Sequence, residues 1–452
     1  MRFKYFAQSR RSVVASLLLA DEQTAVASYD RTELANLAGE QQLVLMDLAE
    51  AKTFRDPKPP WPSYGIHDTL DQQDVFDSII AINLVEIASD IPHVLFQIKR
   101  SLSADGRLVV LAFSRLWQPV VRFLTFLQLR KSRTIENWVP PSEVANFLEL
   151  ADFEVVTRSN HILIPFKIPL LSNFLNRWVA PLPVFRNLCC ITAISARQRT
   201  VSLRKGEPTV SVVIAARNEA GNIETLLDRL PQLASRQEVI LVEGGSEDDT
   251  WGVIERAISN RQLRNTDVSY LALRQPGKGK ADAVRWGFAH SSGDILVILD
   301  ADISVPPEEM RGFVDVLIRG HCRFANGSRL VYAMDKRAMR FLNLLGNRFF
   351  GTLFTFLIGQ PVRDTLCGTK AMWRTDYERI VANRRYFGDF DPFGDFDLLF
   401  GAARLGIRIR DVPVHYKART YGATNISRFR HGLLLLRMSW IAAKKLRFTE
   451  VA

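Results

Sequence analysis

The stretch VILDADIS, residues 297–304, sets two aspartates at the end of an apolar run. Only Ala301 separates Asp300 from Asp302, so two like charges lie close together where a buried strand is predicted to end. Unpaired buried charge is costly, and such a pair therefore needs a compensating cation or hydrogen-bond donors. The stretch predicts a cation site at a strand end or, as the plainer alternative, a solvated loop.

Three apolar runs earlier in the chain predict further strands of the same sheet. They are VSVVIAA (210–216), EVILVEGG (238–245) and DVSYLALR (267–274). Helical patterns lie between them, in GNIETLLDRLPQL, EDDTWGVIERAIS and GKADAVRWGFAHSS. This short alternation of strand and helix predicts a mostly parallel, doubly wound sheet. Ligands of such sheets bind beyond the carboxyl ends of the strands, so the polar strand ends should meet in one crevice.

The predicted strand ends carry side chains suited to a hard cation and a phosphorylated ligand. The first end has Asn218 and Glu219, and the second has Glu243, Gly245 and Ser246. Carboxylate and other oxygen ligands favour Mg²⁺ or Mn²⁺, and no cluster of His or Cys suits zinc. A phosphorylated ligand would complete the coordination of a metal held by one or two carboxylates.

A basic turn follows the third of these strands. The segment RQPGKGKADAVRW (274–286) offers Lys278 and Lys280 in a glycine-containing turn that enters a helix. Glycine turns and helix N-termini favour phosphate. Alone, the turn is better explained as an ordinary surface loop, and its neighbours are what favour a binding role.

The order strand–NE–strand–GS–Lys/Gly turn–strand–DAD resembles the GT-A nucleotide-diphospho-sugar glycosyltransferases of family 2 over roughly residues 208–430. The likeness is strongest to the branch with polyprenyl-phosphate sugar synthases. It implies transfer of a hexose from a UDP- or GDP-sugar with Mg²⁺ or Mn²⁺, and Asp302 would bind the metal. The donor-binding residues that it implies are Ala216, Asn218, Glu219, Glu243, Gly245, Ser246, Lys278, Lys280, Asp300, Ala301, Asp302 and Arg419.

The segment FGDFDPFGDFDLLFGAARLG (387–406) matches the region where the family carries its catalytic acid pair. Asp395 falls at the position of the base and Asp397 two residues later; Asp389 and Asp391 repeat the spacing. In an inverting single displacement a carboxylate would deprotonate an acceptor hydroxyl. A lipid phosphate is already ionised and needs no base. An acidic loop that caps the next helix is the plain alternative.

The family likeness also implies an acceptor side. It lies in GSRL (327–330) and DTLCGTKAMW (364–373), through Arg329, Asp364, Gly368 and Lys370. A surface ion pair is the plain alternative for Arg329. Cys367 is expected to be a small buried residue.

The N-terminal half has an α/β pattern of its own. VFDSIIAI (75–82) and GRLVVLAF (106–113) predict buried parallel strands, and Ser142 is the expected N-cap of a helix in PSEVANFLELADF. The half resembles the second part of a class I AdoMet-dependent methyltransferase domain. That family needs an early glycine-rich turn, but residues 1–73 contain only Gly39 and Gly65. A degenerate domain with a scaffold role is therefore expected, and an active methyltransferase joined to the transferase is the rival.

These patterns together predict an α/β chain in which a degenerate methyltransferase-like domain precedes a GT-A domain. The expected bounds are 1–197 for the first domain, 198–208 for a linker, 209–427 for the GT-A domain and 428–452 for a basic amphipathic segment. The last segment carries six Lys or Arg and no acidic residue between 428 and 448. It fits a helix on an anionic leaflet, with packing on the core as the alternative. Residues 340–359 are a second candidate stretch.

The composition of the chain limits its partners and location. It has 452 residues, a net charge of +11 and four cysteines without metal-ligand spacing. The charge favours anionic partners, and no nucleic-acid module accompanies it. No transmembrane helix is expected, and the predicted location is the cytoplasm, peripheral to the cytoplasmic face of the membrane. A non-catalytic nucleotide-sugar binder remains an alternative function.

Overall fold

The structure is a computed structural model of the chain. It describes residues 9–17, 24–28, 43–47, 63–65, 75–127, 137–199, 207–262, 267–331, 341–386, 394–417, 421 and 428–448, with gaps at 11, 15, 83, 89–90 and 170. The chain divides into two compact units. Unit 1 is Met1–Thr200 with Arg447–Ala452, and unit 2 is Val201–Leu446.

Unit 1 is built on a seven-stranded sheet. Its strands are β1 Thr24–Ser28, β2 Leu43–Asp47, β3 Ser63–Gly65, β4 Phe76–Ile82, β5 Leu102–Phe113, β6 Phe153–His161 and β7 Ile191–Gln198. Their order across the sheet is β3-β2-β1-β4-β5-β7-β6. The first five pair in parallel, and β7 runs antiparallel to both β5 and β6. The two parallel strands predicted at 75–82 and 106–113 are therefore confirmed as β4 and β5.

Residues 9–17 are helical where they are described, and five further α-helices accompany this sheet in the described part of the chain. They are α1 Leu84–Ile87, α2 Ile91–Arg100, α3 Gln118–Phe126, α4 Pro141–Leu150 and α5 Leu171–Phe174, the last continued by a π-turn over Leu175–Val179. The expected N-cap Ser142 is wrong, because α4 begins at Pro141 and Pro140 is its N-cap. Proline suits the first helical position, where its missing N–H would have no partner.

Both faces of the unit 1 sheet are covered, because successive side chains of a strand point to opposite sides. On β4, Ile79 and Ala81 belong to one apolar core with α2 and α4. Ile80 and Ile82 belong to a second core that includes Ile162 and partly buried Trp117. The helices α2 and α4 therefore lie on the opposite face from Trp117.

Unit 2 contains the sheet expected from the VILDADIS pattern. Its strands are β8 Val210–Ala216, β9 Gln237–Glu243, β10 Val268–Arg274, β11 Ile295–Asp300, β12 Phe324–Ser328, β13 Lys370–Trp373 and β14 Ile409–Pro413. The order is β10-β9-β8-β11-β13-β12-β14. Strands β8 to β11 pair in parallel, as predicted, and β13 runs antiparallel between β11 and β12.

The helices of unit 2 lie between these strands and after them. They are α6 Ile223–Arg229, α7 Thr250–Gln262, α8 Lys280–Ala289, α9 Met310–Ile318, α10 Phe341–Ile358, α11 Arg374–Ala382, α12 Asp395–Arg404 and α13 Arg428–Ala442. Helix α10, the second candidate membrane stretch, buries Phe350, Phe354 and Leu357 in the unit. Among the described residues, no helix combines the length and apolar character needed to cross a membrane.

The predicted linker and the predicted C-terminal segment each contain a boundary between the two observed units. Gln198, the first residue of the expected linker 198–208, is the last residue of β7, and residues 201–206 lie outside the described part of the chain. The expected segment 428–452 is divided, because residues up to Leu446 belong to unit 2 and the remainder to unit 1. The domain bounds given above stay a prediction.

Candidate active site

The polar strand ends of unit 2 meet at one edge of its sheet. In the parallel pairing, Ala216 at the end of β8 lies opposite Glu243 at the end of β9. Asp300 at the end of β11 lies opposite Ala215. The three ends therefore adjoin, as the alternating pattern predicted, and they bring the loops after β8, β9 and β11 into one crevice.

The loops after β8 and β9 are held together by hydrogen bonds. The Asn218 amide N–H donates to Ser246 Oγ at 3.0 Å, and Asn218 Oδ1 accepts from the Glu247 amide at 2.7 Å. Glu243 Oε1 accepts from the Ser246 amide at 2.5 Å. Asn218 itself has φ +57°, a left-handed conformation that asparagine tolerates better than most residues. These contacts make the two loops one rigid wall of the crevice.

Further hydrogen bonds stabilise the same two loops, through residues that the sequence did not identify as site residues. The Glu219 amide donates to Thr250 Oγ1 at 2.9 Å, and the Ala220 amide donates to Asp248 at 3.3 Å. The Tyr421 hydroxyl donates to the same carboxylate at 3.2 Å. Burial opposes ionisation of Asp248, but hydrogen bonds from Thr250, Ala220 and Tyr421 outweigh it and lower its pKa. The only sequence signal was the presence of Asp248 and Thr250 after the second strand.

Lys280 is the centre of the charge arrangement in the crevice. Its ammonium group forms an ion pair with Asp300. Burial disfavours its charged form, but Asp300, Asp395 and Asp302 outweigh this and raise the pKa of Lys280 above its ordinary value. Asp300 and Asp302 from one stretch and Asp395 from another therefore lie near one ammonium group. The structure brings together the predicted donor pair and the predicted base.

Asp302 is held in a defined position beside this cluster. It is buried, and its Oδ1 accepts a hydrogen bond of 2.9 Å from the Ser304 amide. The intervening Ile303 has φ +53°. A β-branched residue rarely adopts that conformation, and strain of this kind concentrates at functional sites. The turn therefore fixes the direction of the Asp302 carboxylate.

The chemistry of this donor set fits a hard divalent ion. Asp300 and Asp302 offer carboxylate oxygens at one strand end, and Mg²⁺ typically takes one or two carboxylates while substrate phosphates and water complete its shell. Within the described part of the chain, no group of three or more His, Cys, Asp or Glu could hold a metal ion. A metal here would therefore need further oxygen ligands from water or from a bound phosphate.

Gly368 and the basic turn complete the surroundings of Lys280. A β-carbon on Gly368 would collide with Lys280 Nζ and with the Asp300 carboxylate. The turn before α8 is closed by Asp282, which accepts from the Gly277 amide at 3.0 Å. Lys278 is exposed on that turn. Only the second lysine of the turn is therefore engaged with the aspartates.

Asp395 lies at the first position of α12 and pairs with a buried lysine. The fully buried Lys370 donates to Asp395 Oδ1 at 2.7 Å and also to the Cys367 carbonyl. Gly394 before it has φ +76°, a conformation that favours glycine. Glycine at 394 therefore suits the turn that leads into α12. Cys367 is buried, as expected, and its burial raises the pKa of its thiol to about 11.

Asp397 is engaged differently from Asp395. Its Oδ2 accepts from Arg384 Nε at 2.6 Å and lies 3.4 Å from Arg285 Nη2. Two guanidinium groups therefore hold this buried carboxylate. One of these groups, Arg285, lies on α8. This pairing favours a positioning role for Asp397 and leaves Asp395 as the better candidate base.

Arg329 and Asp364, both expected on the acceptor side, form a buried ion pair. Arg329 Nε and Nη2 donate to the two carboxylate oxygens at 2.7 and 2.9 Å. The guanidinium also lies 5.0 Å from the centre of the Tyr416 ring. Burial opposes ionisation of Asp364, but Arg329 outweighs it and lowers the pKa of Asp364. The pair stabilises the loop that leads to Lys370, and its role toward an acceptor stays a prediction.

Three of the sequence-predicted residues cannot be assessed. Arg419, expected at the donor diphosphate, lies outside the described residues, as do Asp389 and Asp391. Tyr421, in the same basic stretch as Arg419, is described, and it packs against Gly221 next to Asp248.

The segment that carries these strand ends matches a known family. The family model described as glycosyl transferase family 2 matches residues 211–381. The resemblance drawn from the motifs is confirmed for this segment, whose sequence matches the family over these residues. The match includes Asp300, Asp302 and Lys370 but stops before Asp395.

Two curated relatives and one solved structure illustrate the likeness. An undecaprenyl-phosphate 4-deoxy-4-formamido-L-arabinose transferase of Pseudomonas fluorescens (strain SBW25) is 30% identical over 49% of this chain and 61% of its own length. A dolichol-phosphate mannosyltransferase of Pyrococcus furiosus is 32% identical over 48% of this chain and 59% of its own length. The chain thus spans less than two thirds of these relatives.

The solved structure is a glucosyl-3-phosphoglycerate synthase from Mycobacterium tuberculosis in complex with Mn²⁺, UDP and glucosyl-3-phosphoglycerate. It is 21% identical, and the likeness covers 53% of this chain and 80% of that chain with a TM-score of 0.37.

Proposed function

We propose that unit 2 transfers a hexose from a UDP- or GDP-sugar to a polyprenyl phosphate or another membrane-proximal acceptor. The observation that carries this proposal is the convergence of Asp300, Asp302 and Asp395 on Lys280 at the strand ends of a family 2 domain. Gathering carboxylates in a partly buried crevice costs free energy, and a site for a bound ligand is a reason for a protein to bear that cost. A nucleotide-diphospho-sugar brings both the negative charge and the hydroxyl groups that such a site can use.

The donor would lie across the ends of β8, β9 and β11. Glu219 and Glu243 would face the base and ribose, and Asp300 the ribose side. Mg²⁺ or Mn²⁺ held by Asp302 would offset the negative charge on the departing diphosphate, an effect worth several kcal/mol. Lys280, which stays protonated because of its raised pKa, would present fixed positive charge to the same group.

Asp395 would act on the acceptor side of the same crevice. Its hydrogen bond from the buried Lys370 keeps it in place. An ionised carboxylate there can accept the proton of an acceptor hydroxyl in an inverting displacement. With a phosphate acceptor, which needs no base, Asp395 would order the acceptor instead.

Contact with a membrane is part of the proposal and rests on α13. Its buried face includes Leu435 and Met438, and its opposite face exposes Leu433, Leu436 and Trp440. Two exposed basic residues, Arg437 and Lys444, lie on the exposed side. An exposed face that mixes leucine, tryptophan and basic residues fits the surface of an anionic leaflet. The chain would then work at the cytoplasmic face of a membrane.

The test is a donor panel. UDP- and GDP-hexoses are offered to the full chain with polyprenyl phosphate, with and without Mn²⁺, and nucleotide release and lipid-linked product are both measured. We expect metal-dependent turnover that falls at least a hundredfold in Asp302→Asn. Exposed Asp249→Asn, in the neighbouring loop, is the control and should retain turnover. Donor binding without product from any donor would instead support a non-catalytic nucleotide-sugar binder.

Unit 1 is proposed to be a methyltransferase-like scaffold domain. The strand order of its sheet reverses between β1 and β4, and ligands of open α/β sheets bind at such reversals. The residues that follow β1, 29–42, lie outside the described part of the chain. Titration of the full chain with AdoMet tests the proposal: saturable micromolar binding would overturn the scaffold role and favour a bifunctional enzyme.

A further inference from the structure

Two stretches of unit 1 lack acidic residues altogether. No Asp or Glu occurs between Glu154 and Glu207, where eight Lys or Arg are found. None occurs between Asp105 and Glu136, where six Lys or Arg are found. Both stretches are also rich in Leu, Phe, Val and Pro. An apolar surface that contains basic residues and no acidic residue suits a partner that is itself negatively charged.

The later stretch is an irregular segment with a defined internal structure. Buried Asn176 holds it by accepting from the Ile164 amide at 2.7 Å and donating to the Ile164 carbonyl at 2.8 Å. Buried Ser172 accepts from the Ile168 amide at 2.8 Å and donates to the Phe166 carbonyl at 2.6 Å. The side chains of Ser172 and Asn176 are therefore turned inward, while apolar side chains such as Phe174 and Val184 are exposed.

The two stretches adjoin in space. Trp117, just before α3, donates from Nε1 to the Leu188 carbonyl at 2.8 Å. The Ser114 amide donates to the Cys190 carbonyl at 2.8 Å. The start of helix α3 thus adjoins the end of the segment 163–188, and we call the exposed apolar side chains of these two elements the apolar ridge. Its most exposed apolar side chains are Leu116, Phe123, Phe126, Phe174, Val184 and Leu188.

The exposure of these side chains is unusual. Phe126 is 81% exposed, Val184 79% and Phe123 60%. Single exposed apolar side chains are normal on a protein, but a contiguous group of large ones marks an interaction site. Phe123 and Phe126 lie three residues apart on α3 and therefore share one helical face.

Basic side chains flank the apolar ridge. Arg115, Arg122, Lys167 and Arg186 are all exposed, and no acidic residue from either stretch accompanies them. A second copy of this chain would set like charges against each other across a two-fold interface, because such an interface pairs the same patch with itself. An anionic lipid surface takes up the aromatic side chains and attracts the arginine and lysine side chains at the same time.

We propose that the apolar ridge of unit 1 docks on an anionic bilayer. This contact is separate from the exposed face of α13, and it rests on neither the glycosyl transfer nor AdoMet binding. It gives the N-terminal unit a function that needs no intact cofactor site: it holds the chain at the surface where a lipid-linked acceptor would be found. The aromatic side chains would enter the interface while the basic residues face the lipid headgroups.

The test is vesicle co-sedimentation of the full chain, with phosphatidylglycerol/phosphatidylcholine vesicles compared with pure phosphatidylcholine. Phe123→Ser/Phe126→Ser should weaken binding to the anionic vesicles at least tenfold. The matched control is Phe96→Ser/Leu150→Ser, because these side chains are similarly exposed on α2 and α4 of the opposite face. The control should bind like the unaltered chain. Donor turnover with a detergent-dispersed acceptor should be the same in all three proteins.

A second variant, which changes a charge on the ridge, tests the proposal even if the double serine variant misfolds. Arg122→Glu should weaken binding severalfold and reduce its salt dependence, whereas Arg100→Glu on α2 should have a smaller effect. The proposal is overturned if both ridge variants bind like their controls, or if pure phosphatidylcholine binds equally well. It is also overturned if sedimentation velocity shows a dimer that the double serine variant dissociates, since the ridge would then join two copies. If the unaltered chain binds vesicles as expected but shows no donor turnover, that result counts against the proposed glycosyl transfer alone.

Discussion

The backbone of Gly368 lies directly against the side chain of Lys280. A β-carbon at position 368 would overlap Lys280 Nζ and would stand 2.9 Å from Asp300 Oδ1. Lys280 and Asp300 form the ion pair at the centre of the candidate site. Glycine at 368 is thus what lets the loop between Asp364 and Lys370 approach the ion pair of Lys280 and Asp300.

This contact predicts the effect of a single methyl group. Gly368→Ala should lower donor turnover at least tenfold, because Lys280 and Asp300 must move apart to admit the β-carbon. Gly346→Ala is the matched control: a β-carbon there would meet nothing within 4 Å, and the position is inside α10. It should keep full turnover and gain about 0.5–1 kcal/mol of unfolding free energy from helix propensity. Equal turnover in the two variants would show that the close approach is not needed.

The position of Lys280 among three aspartates predicts a measurable link to metal binding. An ammonium group beside Asp300 and Asp302 repels a divalent ion while it balances their charge. Lys280→Met should therefore bind Mn²⁺ more tightly in the absence of donor, by roughly tenfold, and yet turn over donor more slowly. Lys278→Met, two residues away and exposed, should change the Mn²⁺ affinity much less. Calorimetric titration with Mn²⁺ measures both affinities, and weaker metal binding in Lys280→Met would contradict this account.

Much of unit 2 could be predicted from the sequence because its signals are local. The runs that became β8, β9 and β11 are continuous and apolar, and each ends on polar residues. Their parallel pairing follows from the helices between them, so the position of Glu243 and Asp300 at the same edge of the sheet, on either side of β8, was predictable. Strand β7 of unit 1 is equally buried, but it runs antiparallel beside β5 and was not predicted. Nothing local in its sequence identifies its partner.

The charge pairs could not be predicted because they join distant residues. Lys370 and Asp395 are 25 positions apart, and Arg329 and Asp364 are 35 apart. A lysine is normally expected at the surface, so the complete burial of Lys370 has no sequence signal. The backbone conformations of Asn218 and Ile303 could not be predicted from the sequence either, because left-handed backbone is rare for residues other than glycine.

The ion pair between Lys370 and Asp395 predicts that stability can be recovered in a variant that remains inactive. Asp395→Asn leaves a buried ammonium group without its charge partner, which should cost about 3–5 kcal/mol of unfolding free energy. Lys370→Met/Asp395→Asn removes both charges and should recover at least half of that loss. Turnover should stay low in both proteins, because neither has the carboxylate. Urea denaturation and nucleotide release measure the two effects. Recovery of turnover in the double variant would exclude Asp395 from the reaction.

His161 predicts how unit 1 responds to acid. Burial, with a smaller contribution from Arg447, lowers the pKa of His161 to about 4 from its ordinary 6.5, and its Nε2 lies 2.9 Å from Ser159 Oγ. The folded unit therefore prefers the neutral imidazole, whereas the unfolded chain takes up a proton near pH 6.5. The resulting stability is fully present above that pH and is lost as the pH falls toward 4, by up to about 3 kcal/mol. Thermal unfolding of the full chain, followed between pH 7.5 and 4.5, should show this decline.

His161→Gln isolates the contribution of the imidazole. Glutamine cannot titrate but can still reach Ser159, so the unfolding temperature of unit 1 in this variant should fall less steeply with decreasing pH. His321→Gln is the control, because His321 is exposed in unit 2 and its loss should leave the decline unchanged. If the pH profiles of His161→Gln and the unaltered chain coincide, the acid sensitivity of unit 1 must come from other groups, and the neutral form of His161 is not what the fold selects.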